Sequence, residues 1–331
     1  RSVKIVGVDS NPDGGFVASI DLKKEQVTAL ERIPNEAQAA YSFAEVGLAT
    51  VLTKQNKEYQ DALKKRDVTN LDLVQIDPWP AGGVVHESIK PGHRAMKTIS
   101  FLKENETDNA YAKPIQGVIS HVDLTLKEVT CVEDFGVVPV PKAHARYDAE
   151  SQSEFREQPK PIEITQPEGA GFEVEGNQIS WEGWQLRASI HPVEGPVLHQ
   201  VSLNERPILH RASLSDMVVP YGSADPMHSW KAVHDGTEYG FGNLTNSLTL
   251  GCDCVGEIHY LDANILTFDG SVNFIENAIC IHEEDFGIQW KHTDFNNFIP
   301  TEVRRSRRLV VSSISTIGNY DYGMFWYLYL D

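Results

Sequence analysis

The nine residues Tyr322-Gly323-Met324-Phe325-Trp326-Tyr327-Leu328-Tyr329-Leu330 constrain the fold of this chain more than any others. They carry no charge and read as one long aromatic strand. A strand that is apolar on both faces needs neighbours on both sides. Asp331 is the last residue, so the partners of one side are expected in sequence beyond it, and the chain reads as cut. Strand-like runs precede the aromatic segment at 178–190, 197–203, 258–260 and 308–316. Their spacing and the turn residues between them predict the opening of a large β-sandwich.

The first part of the chain has a different texture. Residues 3–8 and 16–32 alternate apolar and polar and predict strands of a small sheet, with Asn11-Pro12-Asp13-Gly14-Gly15 as a turn. Pro34-Asn35 closes that sheet. Asn35 is an expected helix N-cap with Glu36 in the first turn. Ala40, Phe43, Ala44, Leu48, Val51 and Leu52 form a helical stripe, and a second helix is expected over 58–65. Strands at 71–76 and 95–102 and a hairpin over 117–132 complete an α+β module. Pro139, Pro141, Pro159, Pro161 and Pro167, set among Glu, Gln, Ser and Lys, mark an exposed linker or wrapping arm. The expected division is therefore 1–33 as the tail of a small N-terminal α+β domain, 34–140 as a second one, 141–168 as the arm, and 169–331 as the first part of the β-sandwich.

Composition bounds the partners. A formal net charge of -18 over 331 residues argues against nucleic acid and anionic membrane surfaces, and no window approaches the ~20 apolar residues of a membrane span. Arg1 is not an initiator Met, so the natural N-terminus is expected to lie further upstream. Four cysteines are too few for a disulfide scaffold in a chain of this length, and Cys252-Asp253-Cys254 is too tight for a zinc knuckle. The sequons at Asn105 and Asn243 arise readily by chance.

Three clusters carry candidate chemistry. Thr316-Ile317-Gly318-Asn319-Tyr320-Asp321-Tyr322-Gly323 reads either as a turn between strands with core tyrosines or as a reactive centre. Val218-Val219-Pro220-Tyr221-Gly222 is followed by Ser229-Trp230-Lys231-Ala232-Val233-His234-Asp235. There Asp235 is either a turn residue beside Gly236 or a buried general base. Leu248-Thr249-Leu250-Gly251-Cys252-Asp253-Cys254 and Cys280-Ile281-His282-Glu283-Glu284-Asp285 read as a bridge between strands. His282-Glu283 starts like a zincin motif, but the required second histidine is absent, and no His-x-His pair occurs among the twelve histidines.

Together, Thr316-x-x-Asn319-Tyr320-Asp321 with its aromatic strand, Val218-Val219-Pro220-Tyr221-Gly222, Leu250-Gly251-Cys252-Asp253-Cys254 and Cys280-x-His282-Glu283-Glu284-Asp285 resemble the copper amine oxidases, in order and at compatible spacings. Asn70-Leu71-Asp72-Leu73-Val74, Asn109-Ala110-Tyr111-Ala112-Lys113-Pro114-Ile115 and Val122-Asp123-Leu124 extend the resemblance to the earlier module, closest to microbial and fungal members. The resemblance implies cystatin-like α+β domains followed by the start of a large β-sandwich. It implies oxidative deamination of primary amines by dioxygen to aldehyde, ammonia and hydrogen peroxide, in a homodimer located in the cytoplasm or peroxisome, without nucleic acid or membrane as partner.

The same resemblance makes Tyr320 the precursor of topaquinone and Asn319 a residue that holds the quinone ring. Tyr221 becomes the tyrosine that hydrogen-bonds the cofactor and Asp235 the base. Val233 takes the gate position of the amine channel, with Tyr111 and Tyr239 also lining it. Cys254 and Cys280 take the positions of the family's intrachain disulfide, leaving Cys131 and Cys252 unpaired. The copper ion is expected on a His-x-His pair and a third histidine beyond residue 331. The rival reading is a truncated, non-catalytic relative that keeps the fold as a binding or structural module.

Overall fold

The computed structural model describes residues 2–8, 15–34, 37–143, 146–152 and 154–330. It divides into two compact units, residues 1–157 with 218–234 and residues 158–217 with 235–331. The expected turn over Asn11–Gly14 and the expected cap at Asn35 and Glu36 lie outside the described residues.

In the first unit, β1 (Ser2–Val8), β2 (Gly15–Asp21) and β3 (Gln26–Arg32) form an antiparallel sheet in chain order. Helices α1 (Phe43–Gln55) and α2 (Lys57–Lys64) follow. The helix begins at Phe43 rather than near Asn35, for a local reason. The Ser42 side chain accepts from the Glu45 N–H while the Glu45 carboxylate accepts from the Ser42 N–H. This capping box satisfies two of the four orphan donors of the first turn and stabilises the start by about 1 kcal/mol. Asn56 then ends α1 and caps α2, accepting from the Tyr59 N–H at 2.9 Å. The helices cover a four-stranded antiparallel sheet of β4 (Val74–Pro80), β5 (Ala95–Leu102), β6 (Pro114–Asp123) and β7 (Glu128–Asp134). Tyr59 and Leu63 pack on Val74, Ile76, Ile115 and Val118, and Ala49 packs on Met96 and Val122. The expected strand at 71–76 starts as a 3-10 turn, Leu71–Leu73, because the Asn70 side chain captures the Asp72 N–H.

The second unit is a β-sandwich. Its first sheet has β8 (Glu173–Glu175), β9 (Gln178–Trp181), β10 (Trp184–His191), β11 (Gly195–Leu203) and β12 (Arg206–Ala212) in chain order. A two-stranded ribbon, β13 (Val218–Pro220) with β14 (Ala232–His234), belongs to the first unit. The chain then returns to the second unit for β15 (Ile258–Leu266), β16 (Val272–Asp294), β17 (Ile299–Ile317) and β18 (Tyr320–Tyr329), again in chain order. Ile179, Trp181, Leu186 and Val201 from one sheet share a core with Leu261, Ile281, Val311 and Leu328 from the other, the layer packing expected of a sandwich. The aromatic strand β18 pairs with β17 along its whole length and is otherwise the edge of this sheet among the described residues. Leu328 is buried, whereas Phe325 and Tyr327 are 47% and 41% exposed. The mostly-β second half and α+β first half are as the sequence predicts.

One buried cation organises the small domain. Arg66, just past α2, has no exposed side-chain surface. It donates to the Ala62, Gln116, Gly117 and Gly136 carbonyls and to Asp134 at 2.8 Å. The Arg66 guanidinium, with Lys65 beside it, holds the Asp134 carboxyl well below the usual carboxylate range. Its folded pKa is the lower one, so the stability Asp134 lends is present above about pH 4 and is lost as pH falls below that. Asp134→Asn is expected to cost about 1–3 kcal/mol at pH 7. The difference from the parent, measured by urea unfolding, should shrink below about pH 4; a pH-independent difference would contradict the ion-pair account.

Candidate active site

Tyr320 is placed by a hairpin. Ile317 and Tyr320 are the last paired residues of β17 and β18, so the loop between them is Gly318-Asn319 alone. Gly318 has φ of +58°, the left-handed region that a non-glycine residue enters only with strain. Glycine first in a two-residue loop is the type II′ arrangement, whose twist matches that of the flanking strands. The turn reading of this cluster is thus what the backbone shows, with Tyr320 as the first residue after the loop. Across the ladder, Thr316 pairs with Asp321 and its hydroxyl donates to that carboxylate at 2.6 Å. The Asn246 amide in turn donates to the Thr316 hydroxyl at 2.9 Å. Tyr320 itself is 53% exposed.

Tyr322 lies two residues on, and the period of two puts it on the same strand face as Tyr320. The two rings are 6.3 Å apart, and Phe241 meets Tyr322 edge-on at 5.7 Å. The Tyr322 hydroxyl donates to Asp235 Oδ2 at 3.0 Å. Burial, together with the Asp235 carboxylate, pushes the Tyr322 phenol up to about 12, so it remains a proton donor throughout the neutral range. Asp235 is 4% exposed. Its backbone N–H donates to the Met217 carbonyl at 3.0 Å. Asp216 accepts from the backbone N–H groups of Met217, Gly236 and Thr237 and from the Thr237 hydroxyl. The loop is therefore held at Asp235 by the Met217 carbonyl and just after it by the Asp216 carboxylate. Tyr239, half-buried, lies four residues past Asp235 in the same loop.

The remaining expected residues, Tyr111, Tyr221 and Val233, belong to the first unit. Val233 is buried, paired with Val219 in the β13–β14 ribbon. Tyr221 and Trp230 both meet Trp79 edge-on, at 5.7 and 6.1 Å. The Lys231 ammonium lies 4.3 Å above the Trp79 ring and 5.3 Å above that of Tyr221. Tyr111 packs edge-on against Phe101 at 4.8 Å and hydrogen-bonds Asp77, a carboxyl that burial pushes up. Tyr111 and Tyr221 thus belong to one aromatic cluster with an Asp77–Lys231 charge pair inside it. Lys231 and Tyr322 stood inside clusters singled out in the sequence but were given no role of their own, and Asp77 and Asp216 lay outside every cluster.

The structure gives all four cysteines without a bond, Cys254 and Cys280 among them. Cys254 and Cys280 do share one buried cluster with Leu248, while Cys252 is exposed. The Cys254 thiol meets the Tyr260 hydroxyl at 3.3 Å and Cys280 meets His282 Nδ1 at 3.4 Å. The acidic run beyond Cys280 is structural. Buried Glu283 accepts from the Gln166 amide, the Gly171 N–H, the Trp181 indole N–H and Arg307. A polar groove of about 520 Å³ beside it runs to Leu330 at the far end of β18, ten residues from Tyr320.

Tyr320 is present, half-exposed and beside Asn319, so the chain fits a quinone made from its own ring. It does not fit a copper site beside that ring. Among the described residues, the close set of three metal-capable side chains is His86, His121 and Glu133, all in the first unit.

Burial pushes the Lys231 ammonium down to about 8, with Asp77 opposing the shift. Its folded pKa lies below the unfolded one, so the folded state is penalised fully below about pH 8 and the penalty fades as pH rises to about 10.5. The parent should therefore gain on the Lys231→Met variant between pH 8 and 10, by on the order of 2 kcal/mol. Parallel stability curves for the two proteins over that range would contradict the shift.

The chain is similar to known proteins along its whole length. "Copper amine oxidase, N3 domain" matches residues 44–152 and "Copper amine oxidase, enzyme domain" matches 173–331. A primary amine oxidase of Arthrobacter sp. (strain P1) is 41% identical over 335 residues, covering 100% of this chain and 51% of that protein. A histamine oxidase of Arthrobacter globiformis is 43% identical over 301 residues, covering 89% of this chain and 44% of that protein. The crystal structure of a copper-containing benzylamine oxidase from Hansenula polymorpha superposes with a TM-score of 0.86 at 25% identity, over 100% of this chain and 53% of the other. The chain spans about half the length of the curated relatives it matches. Two domains of the family, matched in sequence over residues 44–152 and 173–331, place the chain in the copper amine oxidase family.

Proposed function

We propose that the whole protein oxidises primary amines, converting amine, dioxygen and water to aldehyde, ammonia and hydrogen peroxide. The observation that carries this reading is the 3.0 Å hydrogen bond from Tyr322 to Asp235. It ties a buried carboxylate to the strand face that presents Tyr320. Topaquinone formed from Tyr320 supplies the electrophilic carbonyl and accepts the electron pair. Asp235 takes the proton from the substrate Cα, and burial keeps competing water away from it. The Tyr322 phenol fixes the orientation of Oδ2 without removing its negative charge. Asn319, in the two-residue turn, and the Thr316–Asp321 pair hold the ring of Tyr320 at the hairpin's end. Tyr221 is read as the hydrogen-bond partner of the cofactor oxygen, and Tyr111, Val233 and Tyr239 as walls of the amine channel. The copper ion needed to make the quinone would be held by histidines other than the twelve of this chain.

The protein is further read as a homodimer. Beyond Asp285 the β16–β17 ribbon leaves Phe286, Trp290, Phe295 and Phe298 exposed, apolar area that a second copy would cover. Sedimentation of the intact protein as a monomer would refute this. A cytoplasmic or peroxisomal location fits relatives from Nicotiana tabacum and Pichia angusta that are named as peroxisomal; fractionation of the host cell tests it. Among the described residues no helix is long and apolar enough to cross a membrane. An oxidised Cys254–Cys280 pair belongs to the same reading, and a non-reducing peptide map of the secreted or purified protein decides between bond and free thiols.

The central test uses the intact, copper-loaded protein. Phenylhydrazine should give a coloured adduct on the peptide containing Tyr320, and Tyr320→Phe should give none. Asp235→Asn should keep the adduct but lower benzylamine turnover by about 100- to 10,000-fold. Near-normal turnover in that variant would remove Asp235 from the mechanism. Absence of adduct in the parent would replace the catalytic reading with that of a non-catalytic binding module.

A further inference from the structure

Away from Tyr320, the small domain gathers a set of nitrogen and oxygen ligands that neither its fold nor the proposed reaction uses. His121 lies on the central strand β6, and Glu133 on the neighbouring β7. The Glu133 carboxylate and His121 Nε2 are 2.7 Å apart. His86, from the loop between β4 and β5, lays its ring over that of His121 with centroids 4.3 Å apart. One ring nitrogen of each histidine and one oxygen of Glu133 all lie within 4.8 Å of one another. His121 is 2% exposed, and its Nδ1 is buried without a hydrogen-bond partner. A buried polar atom left unpaired costs about 1–3 kcal/mol, so this one needs an explanation that packing does not supply.

We propose that His86, His121 and Glu133 bind a divalent transition-metal ion of the zinc and copper class. Two imidazoles and one carboxylate are the donor set that borderline ions prefer, and three protein ligands leave a position for water. The supporting hydrogen bonds are in place. His86 Nδ1 lies 2.8 Å from the Ser88 hydroxyl, which bonds the Thr130 hydroxyl at 2.8 Å. Thr130 in turn donates to the His121 carbonyl. A ligand histidine anchored through its other nitrogen is the usual outer-shell pattern of metal sites. Lys97, opposite His121 on β5, is a neighbouring positive charge, but its ammonium is drawn over the Trp230 ring at 4.7 Å. Carboxylates of Glu58 and Glu87 add negative charge to that of Glu133 around Cys131, which pairs with His121 from the other side. The ion would pin the β4–β5 loop to the sheet, a structural task separate from amine oxidation, and the proposal stands whether or not the protein is an oxidase.

The test uses the intact, copper-loaded protein equilibrated with zinc(II) and dialysed, with metal content read by mass spectrometry. One zinc per chain is expected beyond the catalytic metal, together with a zinc-dependent rise in Tm. His86→Gln and Glu133→Gln, which preserve side-chain volume, should each weaken that zinc by tenfold or more. Their Tm without zinc should stay near the parent's, which separates ligand loss from unfolding. No extra zinc in the parent, or extra zinc retained at parental affinity in both variants, overturns the proposal.

Discussion

The hydrogen bond between Tyr322 and Asp235 joins two stretches of chain that are 87 residues apart, and the rest of the candidate site depends on it. Strand register decides whether it forms. A slip of one residue in β17–β18 would send Tyr320 and Tyr322 together to the opposite face of the sheet. The slip is prevented by the tightness of the Gly318-Asn319 loop and by the Thr316–Asp321 pair beside it. An Ala at position 318 would need the left-handed φ that glycine supplies freely, so the turn and the chemistry select the same residue. On the other partner, Asp216 gathers the N–H groups around the Asp235 loop. A carboxylate held from both ends loses little orientational freedom when it acts, which is how pre-organisation lowers a barrier.

A second carboxylate shows the opposite use of similar chemistry. Glu283 is as buried as a general base would be, yet its oxygens are met by Gln166, Gly171, Trp181 and Arg307. Burial pushes the carboxyl up, but these donors outweigh it and hold it below its usual range. Gly171 is required there: a Cβ would lie 2.8 Å from a Glu283 oxygen. The role of this glutamate is to fasten the segment before β8 to the sandwich, and a base so saturated has no lone pair to spare for a substrate proton.

Much of this was legible in the sequence. Alternation gave the β-rich second half, and the proline-rich stretch marked the change of texture before it. Motif content gave Tyr320, Asp235, Tyr221 and Asn319 through resemblance to a family whose domains match the chain. What escaped has physical causes. Helix α1 begins at Phe43 because Ser42 and Glu45 cap each other, a pairing that the apolar stripe alone does not mark. The 23-residue β16 was not read as a strand, and the 19-residue β17 was read only over 308–316. Register shifts after Asp285, Ile288 and His292 break the period that a pattern search follows. Asp216 and Lys231 act through contacts that no local spacing encodes.

The ribbon β13–β14 carries the largest departure from a reading in simple sequential domains. Residues 218–234 sit inside the stretch expected to be sandwich, yet they pack with the small domain, and the chain passes between the units at His234–Asp235. Tyr221 and Val233 are therefore held by Trp79, Trp230 and the β13–β14 pairing, while Asp235, the very next residue after His234, is held by Met217, Asp216 and Tyr322. His234 is the last residue of the first unit and Asp235 the next of the second.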